Sequence, residues 1–542
     1  MNWKEKCNYL IERINRLNEI GLALSREDDT NVIFELIMEE SRNITHADGR
    51  TLYMISDDGK TMNFEILRND SMNTVMGGIS GNKITFPPMQ LFGKDGEQNL
   101  ASIVAFSAHT GETINIQDAY KEEGFDFSGA KDFDKSTGFR TKSVLSVPLK
   151  NHEDDIIGVM QLINATETEK NEVISFSTEM QKQVESLASQ GAVALTNKRL
   201  VAELKNLFES FIKLIATAID KKSPYTGGHC ERVPEIAMLL ADAVEKTKTG
   251  KYKDFTMNED ERYELYIAAW LHDCGKVATP PHVVDKGKKL ETITDRIEVV
   301  DTRFEVLKRD TEIKLLKKKI NILKDSNNNI AIDKAEASYK ESIEQLDDDQ
   351  RFIQKTNRGG EFMEEDDQKR IEIIGSYKWK AKGKKINFLD TDDIRNLQIS
   401  KGTLLPEERE IINDHIVITI DMLEKLPYPK KLRNIPEFAG GHHEKLDGTG
   451  YPKGLTGDQM SVQAKIMAIA DIFEALTAAD RPYKDGKKLS QAIRIMGLMK
   501  KDCEIDKELF EIFVKKGVYK LYAEKYLNKS QLDKVDEKKV LD

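Results

Sequence analysis

Cysteine is scarce in this 542-residue sequence. Its four cysteines lie far apart and form no CxxC pair, which argues against a disulfide framework and favours reduced thiols. Apolar runs of the roughly 20 residues that a bilayer-spanning helix needs are also missing. The first residues form a charged amphipathic pattern that is unlike a signal peptide. We therefore expect a soluble, cytoplasmic protein with no membrane association.

An excess of positive charge is missing as well. The formal net charge is −11, which argues against a protein that coats nucleic acid polymers. A small anionic substrate remains compatible with this charge, because a bound metal ion supplies local positive charge. The chain is too long for one hydrophobic core, so its length predicts two to four domains.

The predicted secondary structure of the first part of the chain changes after a helix over residues 1–25. From about 30 to 165, the sequence predicts short alternating strands and Gly/Asp turns. One hairpin is predicted around the turn at 57–59. A second pairs residues 144–149 with 156–163.

The segments "GFRTKSVLSVPLKN", "IIGVMQLINATE" and "LASQGAVALTNKRL" resemble the carboxy-terminal half of a GAF domain. The resemblance extends over roughly 25–200 and implies an antiparallel sheet with flanking helices that senses a small molecule. The positions that carry it are Gly138, Arg140, Pro148, Gly158 and Asn164.

The ligand of this GAF-like region is left open by its sequence. GAF domains that bind cyclic nucleotides often carry an Asn-Lys, Phe, Asp-Glu signature. This chain has Asn164-Ala165, Phe176 and Met180-Gln181 there, so we expect a different small ligand. The alternative is a GAF domain that serves only as a dimerisation scaffold.

A helix is predicted to connect the two halves of the chain, over about 172–222. Its apolar residues recur at heptad spacing, which favours a parallel homodimer. An amphipathic helix packed on its own domain is the alternative, because the pattern lasts fewer than three heptads. The residues of this connecting seam are Leu200, Leu204, Leu207, Phe211, Leu214 and Ala218.

A helical hairpin is predicted between residues 290 and 401, with a turn at 326–329. Its long arms indicate an antiparallel coiled coil that projects about 50 Å. Beyond Gly359-Gly360 the pattern permits no assignment except a basic patch at 378–385. The apolar positions assigned to the first arm are Ile293, Ile297, Val300, Phe304, Leu307, Ile313, Leu316, Ile320 and Leu323, and those of the second are Ile332, Ala335, Tyr339, Ile343 and Leu346.

Histidines and aspartates cluster in the second half of the sequence. Asp273 follows an apolar helix, and Asp471 interrupts another, where a carboxylate is costly to bury unless it is paired or binds a metal. Imidazole and carboxylate groups together suit iron, manganese or zinc. The histidines in such contexts are His229, His272, His415, His442 and His443, whereas His282 fits no ligand position and is expected to be structural.

The segments "AAWLHDCGKVATPPHVVDKGKKL", "HHEKLDGTGYPKGL" and "AIADIFEALTAADRPYK" resemble HD-GYP domains, which cleave cyclic dinucleotides. The resemblance covers about 205–290 and 400–500. It implies two divalent ions, iron or manganese, with Asp273 bridging them. The ligands that it implies are His229, His272, Asp273, His415, His442, His443 and Asp471.

The same resemblance implies roles for residues around the metals. Lys276 would hold a phosphate oxygen, and Tyr451 would shape the substrate-side loop. Arg481 and Lys484 would contact phosphates or guanine bases. Tyr225 stands where some members carry a glutamate for a third ion, so two ions are expected, with His229 either a ligand or a supporting group.

The resemblances together predict a GAF-regulated phosphodiesterase that converts cyclic di-GMP to pGpG, and to GMP in a second turnover. The alternatives are a phosphodiesterase for a hybrid cyclic GMP-AMP dinucleotide and a non-catalytic cyclic dinucleotide receptor. The insertion would dock a protein partner, gate the site, or be a tolerated peripheral addition.

The expected fold is multidomain, α+β then all-α: an N-terminal helix (1–25), a GAF-like domain (26–170), a connecting helix (171–222), a helical bundle in two parts (223–289 and 402–542) and a coiled-coil insertion (290–401).

Overall fold

The computed structural model describes residues 3–167, 172–222, 228–325, 328–360, 362–381, 383–479 and 486–542. It divides into two compact units, Met1–Leu207 and Phe208–Asp542. Within the described residues, no helix is both long and apolar enough to cross a membrane.

Unit 1 combines an antiparallel sheet with helices. In chain order its elements are α1 (Trp3–Arg26), α2 (Thr30–Thr45), β1 (Gly49–Ile55), β2 (Thr61–Asn69), β3 (Thr74–Gly77), β4 (Met89–Gln90), α3 (Ile103–Thr110), β5 (Ile114–Ile116), α4 (Ser128–Thr137), β6 (Val144–Lys150), β7 (Ile156–Ile163), β8 (Ala165–Glu167), β9 (Glu172–Ile174) and α5 (Thr178–Lys222), which continues into unit 2.

The main sheet has the order β3–β2–β1–β7–β6–β5, with β4 paired to β2. Successive side chains alternate between its faces, so Val144 and Val159 join one core while Leu145 and Met160 join the other. Both predicted hairpins are confirmed, β1–β2 and β6–β7. The expected α+β fold of this unit is therefore confirmed.

Two boundaries in unit 1 differ from the prediction. Residues 30–45 form α2 rather than strands, because Ile33, Phe34, Ile37 and Met38 recur at helical spacing and bury one face. The connecting helix begins at Thr178, because residues 172–174 pair with β8 as a strand.

Unit 2 is mostly helical. Its elements are the end of α5, α6 (His229–Glu245), α7 (Glu259–Leu271), a 3₁₀ turn (Cys274–Val277), α8 (Pro281–Val284), α9 (Ile297–Asp325), α10 (Asn329–Asn357), α11 (Glu365–Gly375), β10 (Lys378–Ala381), β11 (Lys384–Asn387), α12 (Thr391–Leu397), α13 (Pro406–Glu424), α14 (Ile435–Gly440), α15 (Val462–Thr477), α16 (Leu489–Lys501), α17 (Lys507–Lys515), α18 (Val518–Tyr526) and α19 (Glu537–Leu541).

The main core of unit 2 lies where α6, α15, α16, α17 and α18 meet. Leu240, Ile469, Phe473, Phe510 and Phe513 are buried there. Burial of side chains of this size stabilises the bundle by about 1.5–3 kcal/mol each. This core holds α6 and α15 side by side, and both helices carry predicted site residues.

The predicted helical hairpin is present as α9 and α10. The Lys308–Asp347 and Lys319–Glu336 ion pairs show that the two helices run antiparallel. The 29 residues of α9 correspond to about 43 Å of helix, somewhat less than expected.

The first-arm seam assigned from sequence is wrong at two places. Ile293 lies before α9 and is 91% exposed. The positions 313, 316, 320 and 323 point away from α10 and are about half exposed. Phe304, buried at the base of the hairpin, and the two ion pairs fix the rotation of α9 so that this stripe faces outwards.

The segment after Gly359 also folds, although its sequence permitted no assignment. Helix α11, the β10–β11 hairpin and α12 join the base of α9 and α10 around Phe304, Ile353, Phe388 and Leu397. The β10–β11 pair lies within the predicted insertion, and the mostly helical character expected of the second half is confirmed. Lysines dominate the sequence of this strand pair, and its Trp379 packs against the core of the insertion beside the neighbouring Tyr377.

Candidate metal centre

The predicted ligands come together from five places in unit 2. His229 is the first residue of α6, and His272 ends α7 directly before Asp273. His415 lies on α13 and Asp471 on α15. His442 and His443 follow α14, whose short length turns the chain back towards α15.

One group of ligand atoms surrounds His229. Its Nε2 lies 3.1 Å from His272 Nε2 and 3.2 Å from Asp273 Oδ2. Asp471 Oδ1 lies 3.3 Å from the same nitrogen. His229, His272 and Asp273 thus satisfy the geometry of a metal-holding group, with one ligand atom from each residue within 4.8 Å of the others.

A second group consists of His415, His442 and His443, whose ligand atoms also lie within 4.8 Å of one another. His442, a buried member of the second group, also lies next to the first group. Its ring centroid is 4.9 Å from that of His272 and 4.3 Å from that of His443. The two groups therefore adjoin.

Asp273 faces both groups with different oxygens. Its Oδ2 lies near His229 and His272, at 3.2 and 3.4 Å. Its Oδ1 lies 3.2 Å from His415 Nε2. A carboxylate in this position presents one oxygen to each group, as a bridging ligand does.

The ring orientations of three histidines are fixed by backbone carbonyls. Nδ1 of His272 donates to Ala269 O at 2.8 Å, and Nδ1 of His442 donates to Ala439 O at 2.6 Å. Nδ1 of His415 donates in the same way to the carbonyl three residues earlier. These bonds turn each Nε2 towards the centre, as outer partners of metal-binding histidines commonly do.

Glu474 performs the same task for His229 and was missed by sequence reasoning. It is buried, accepts from His229 Nδ1 and pairs with Arg232. Burial opposes its ionisation, but His229 and Arg232 hold the pKa of Glu474 below its usual value. One feature of the sequence could have identified Glu474. Like Asp471, it is a carboxylate within the apolar helix α15, where burial is costly without a partner.

The pKa values of the neighbouring histidines favour neutral rings. Burial lowers the pKa of His443 to about 4. Burial and the adjacent His443 hold the pKa of His442 well below its ordinary value. The neutral imidazole is the form that binds metal ions.

Lys276 lies on the 3₁₀ turn that follows Asp273, and its ammonium group contacts the Asp273 carboxylate. Burial opposes ionisation of Asp273, but Lys276 and His272 hold its pKa well below the usual range. In return Asp273 raises the pKa of Lys276 against the effect of burial. Both groups are therefore charged at neutral pH, with a cation at the edge of the site.

Gly275 allows α13 to approach the turn that carries Asp273 and Lys276. A Cβ atom at this position would lie 2.0 Å from His415 O and 2.6 Å from Thr419 N. Its amide donates to Thr419 Oγ1 at 2.9 Å. Because Gly275 has no side chain, α13 can pack close enough to bring His415 next to Asp273.

Tyr451 forms one wall of the second group. Its ring stacks on His443 with centroids 4.9 Å apart. The loop around it is held by Glu444, which is buried and accepts from the Lys453 and Leu455 amides at 2.7 and 2.8 Å. A Cβ at Gly450 would lie 2.2 Å from Lys445 N, so this loop requires glycine there.

Three predicted positions lie outside the described residues: Tyr225, Arg481 and Lys484. His282 is exposed on α8, so the expectation of a structural core histidine is wrong.

The residues present fit divalent metal ions. The buried polar atoms without a hydrogen-bond partner in the described residues include three from the site, namely Asp273 Oδ1, His415 Nε2 and His442 Nε2. Orphaned buried polar atoms are uncommon in folded proteins. Here all three lie within the two ligand groups, and imidazole with carboxylate suits iron, manganese or zinc.

Comparison with known families assigns both units. The model of the GAF domain matches residues 29–195, and the model of an HD domain matches residues 392–509. The chain contains a GAF domain and an HD domain. The HD match includes His415, His442, His443 and Asp471, and it begins within the insertion at α12. HD domains are metal-dependent hydrolases, which agrees with the ligand groups found here.

Curated relatives resemble part of this chain. The 3′3′-cGAMP-specific phosphodiesterase 3 of Vibrio cholerae is 41% identical over 95 residues, 18% of this chain and 20% of the relative. The cyclic di-GMP phosphodiesterase of Thermotoga maritima is 40% identical over 96 residues, 18% of this chain and 26% of the relative. The chain therefore matches about a fifth to a quarter of each relative's length.

Among solved structures, the GAF domain of the Acinetobacter phosphoenolpyruvate-protein phosphotransferase is 14% identical, with a TM-score of 0.26. It covers 35% of this chain and 98% of that domain.

Proposed function

We propose that this chain is an HD-GYP-type phosphodiesterase that hydrolyses cyclic di-GMP to pGpG, with GMP as the product of a second turnover. The observation that carries the proposal is Asp273, whose two oxygens face two adjoining groups of ligand atoms. The names of the matched relatives support a cyclic dinucleotide as the substrate class.

Two divalent ions, iron or manganese, would be held by these groups. His229, His272 and Asp471 would bind one ion, and His415, His442 and His443 the other, with Asp273 shared. Divalent ions supply Lewis acidity that activates water and stabilises negative charge on a phosphate.

The chain's own groups would orient the substrate. Lys276 would exchange part of its contact with Asp273 for a phosphate oxygen and stabilise the charge that develops there. Tyr451, stacked on His443, would bound the substrate-side loop. We further propose that Arg481 and Lys484 contact the phosphates or guanine bases of the dinucleotide.

A hybrid cyclic GMP-AMP dinucleotide is the second candidate substrate, because a matched relative is named for 3′3′-cGAMP. The decisive experiment incubates purified, Mn²⁺-loaded protein with each dinucleotide and separates the products by chromatography. We expect linear pGpG from cyclic di-GMP at a higher kcat/KM than turnover of the hybrid. Faster turnover of the hybrid would reverse the substrate assignment. Stable binding of both dinucleotides without any linear product would instead indicate a receptor.

We also propose that α5 pairs with α5 of a second copy, so that a small ligand of the GAF domain regulates the enzyme through this helix. Apolar residues of the connecting seam are exposed, Leu204 and Leu214 to 63% each, which is unusual for a leucine stripe. For the insertion, we propose that the outward-facing apolar stripe of α9 at 313–323 binds a protein partner.

Replacing Leu204 by glutamate is expected to convert the dimer into a monomer, because opposed seam positions would bring two carboxylates together in an apolar interface. Light scattering coupled to size-exclusion chromatography measures the mass. The matched control is Ala202→Glu, an exposed position off the seam of the same helix, which should remain dimeric. A monomeric wild-type chain, or a dimeric Leu204→Glu variant, would refute this interface.

A further inference from the structure

The last turn of α5 contacts both chain segments that flank the site. Asp220 Oδ2 accepts from Gly228 N at 3.0 Å and from Cys230 N at 3.2 Å. These amides lie on either side of His229, the first residue of α6. The carboxylate therefore holds the start of α6 as a capping residue does, although it comes from another helix.

Lys222, less than one turn further along α5, holds the other segment. Its ammonium donates to Thr279 O at 2.8 Å, to Lys276 O at 3.3 Å and to Val277 O. An ammonium group has three donors, and these carbonyls use all of them. The contact fixes the backbone of Lys276 and of the turn that follows Asp273.

Two opposite faces of α5 differ at this end. Ile212, Ala216 and Ile219 are buried, with Ile212 and Ile219 in a core that includes Leu271 of α7. Phe211 and Leu214, on the other face, are exposed. The helix end is thus seated on the helix that leads to His272 and Asp273, with little freedom to move alone.

A small cavity of about 20 Å³ lies beside the site, and Asp220, Lys222, His229, Asp273 and Lys276 are among its lining residues. A displacement of the last turn of α5 would reach both segments through the hydrogen bonds of Asp220 and Lys222.

We propose that Asp220 and Lys222 are positioning residues, which set His229 and Lys276 in register with the rest of the metal centre. This inference rests on the proposed function for its link to catalysis. Rotation or axial shift of α5 would move His229 and the Lys276 turn together. Movement of the end of α5 would in this way regulate the geometry of the metal centre.

The test compares full-length variants stripped of metal and titrated with Mn²⁺ by calorimetry. Asp220→Ala removes the acceptor, and Lys222→Met removes the donors while keeping the aliphatic stem. Outer partners of metal ligands typically contribute about 10–100-fold in metal affinity or activity. We expect a loss of Mn²⁺ affinity in that range for Asp220→Ala, and for Lys222→Met a lower kcat on cyclic di-GMP with little change in KM.

Two further variants separate positioning from general stability. Asp220→Asn keeps an oxygen that can accept both amides and should restore Mn²⁺ affinity. Lys221→Met, at the exposed neighbouring position, is the matched control and should behave as wild type. Tm is measured for every variant.

Wild-type Mn²⁺ affinity and kcat in both Asp220→Ala and Lys222→Met would overturn the proposal. A parallel fall of Tm and affinity that Asp220→Asn does not rescue would also overturn it, because the residues would then be merely structural. If wild-type protein binds Mn²⁺ but cleaves neither dinucleotide, the proposed function fails. The Mn²⁺ affinities of the variants still decide the positioning role in that case.

Discussion

Replacing Asp273 by alanine is expected to abolish phosphodiesterase activity and to remove metal from the purified protein. Asp273 presents one carboxylate oxygen to each group of ligand atoms, so its loss disrupts both. Metal catalysis supplies several kcal/mol, and each 1.4 kcal/mol changes a rate tenfold. We therefore expect kcat/KM to fall by at least about 1,000-fold. Elemental analysis and product chromatography on the same sample measure both effects.

The fold of the Asp273→Ala variant is expected to persist, because the bundle core around Phe473 and Phe510 is separate from this carboxylate. Far-ultraviolet circular dichroism checks this expectation. Asp421→Ala is the matched control, since Asp421 is an exposed aspartate on α13 that pairs with Lys425 at the surface. Full activity or full metal content in Asp273→Ala would refute the shared-ligand assignment.

Replacing Gly275 by alanine is expected to have the second-largest effect, although it adds a single methyl group. The new Cβ would lie 2.0 Å from His415 O and 2.6 Å from Thr419 N, which are backbone atoms that cannot rotate away. Overpacking of this kind typically costs about 1–3 kcal/mol. The strain is relieved when α13 and the turn that carries Gly275 move apart, which withdraws His415 from Asp273.

We expect Gly275→Ala to lower the Tm and to lose at least about 100-fold in activity, because displacement of about 1 Å can cost that much. Differential scanning calorimetry and metal analysis measure the two consequences. Gly129→Ala is the control: it lies in α4 with no atom within 4 Å of the added Cβ. There alanine should be neutral or stabilising. Wild-type metal content and activity in Gly275→Ala would contradict the close approach of α13.

Much of the first unit could be predicted from local pattern. The β6–β7 hairpin follows from alternating side chains on either side of a polar turn, and both strands were predicted to within one residue. Helix α2 was not predicted, because its helical spacing is followed directly by segments of strand-like composition. There the burial of Ile33 and Ile37 against the sheet decides between the two patterns.

The insertion shows where periodicity fails. Its two long helices follow from heptad spacing, but spacing cannot say which of two apolar stripes faces the partner helix. Ile313 and Leu316 fitted the heptad pattern as well as Leu315 does. Buried Phe304 and the Lys308–Asp347 and Lys319–Glu336 pairs place Leu315 nearer α10.

The residues that prepare the site were the hardest to predict. Glu474, Asp220 and Thr419 are ordinary residue types, and none belongs to a motif by itself. Their partners are distant in sequence: Glu474 meets His229 across 245 positions, and Thr419 meets Gly275 across 144. No local pattern encodes such pairs.

The residue types that the metal centre uses can be predicted from the chain, because buried histidines and carboxylates at motif spacing are costly unless they bind something. The order of the two domains can be predicted as well, through patterns that are local along the chain. The folded arrangement was needed to establish that Asp273 presents one oxygen to each group, that Gly275 lets α13 approach, and that the end of α5 holds both flanks of the site. These features depend on the mutual placement of helices far apart in sequence, and that placement is fixed by core packing.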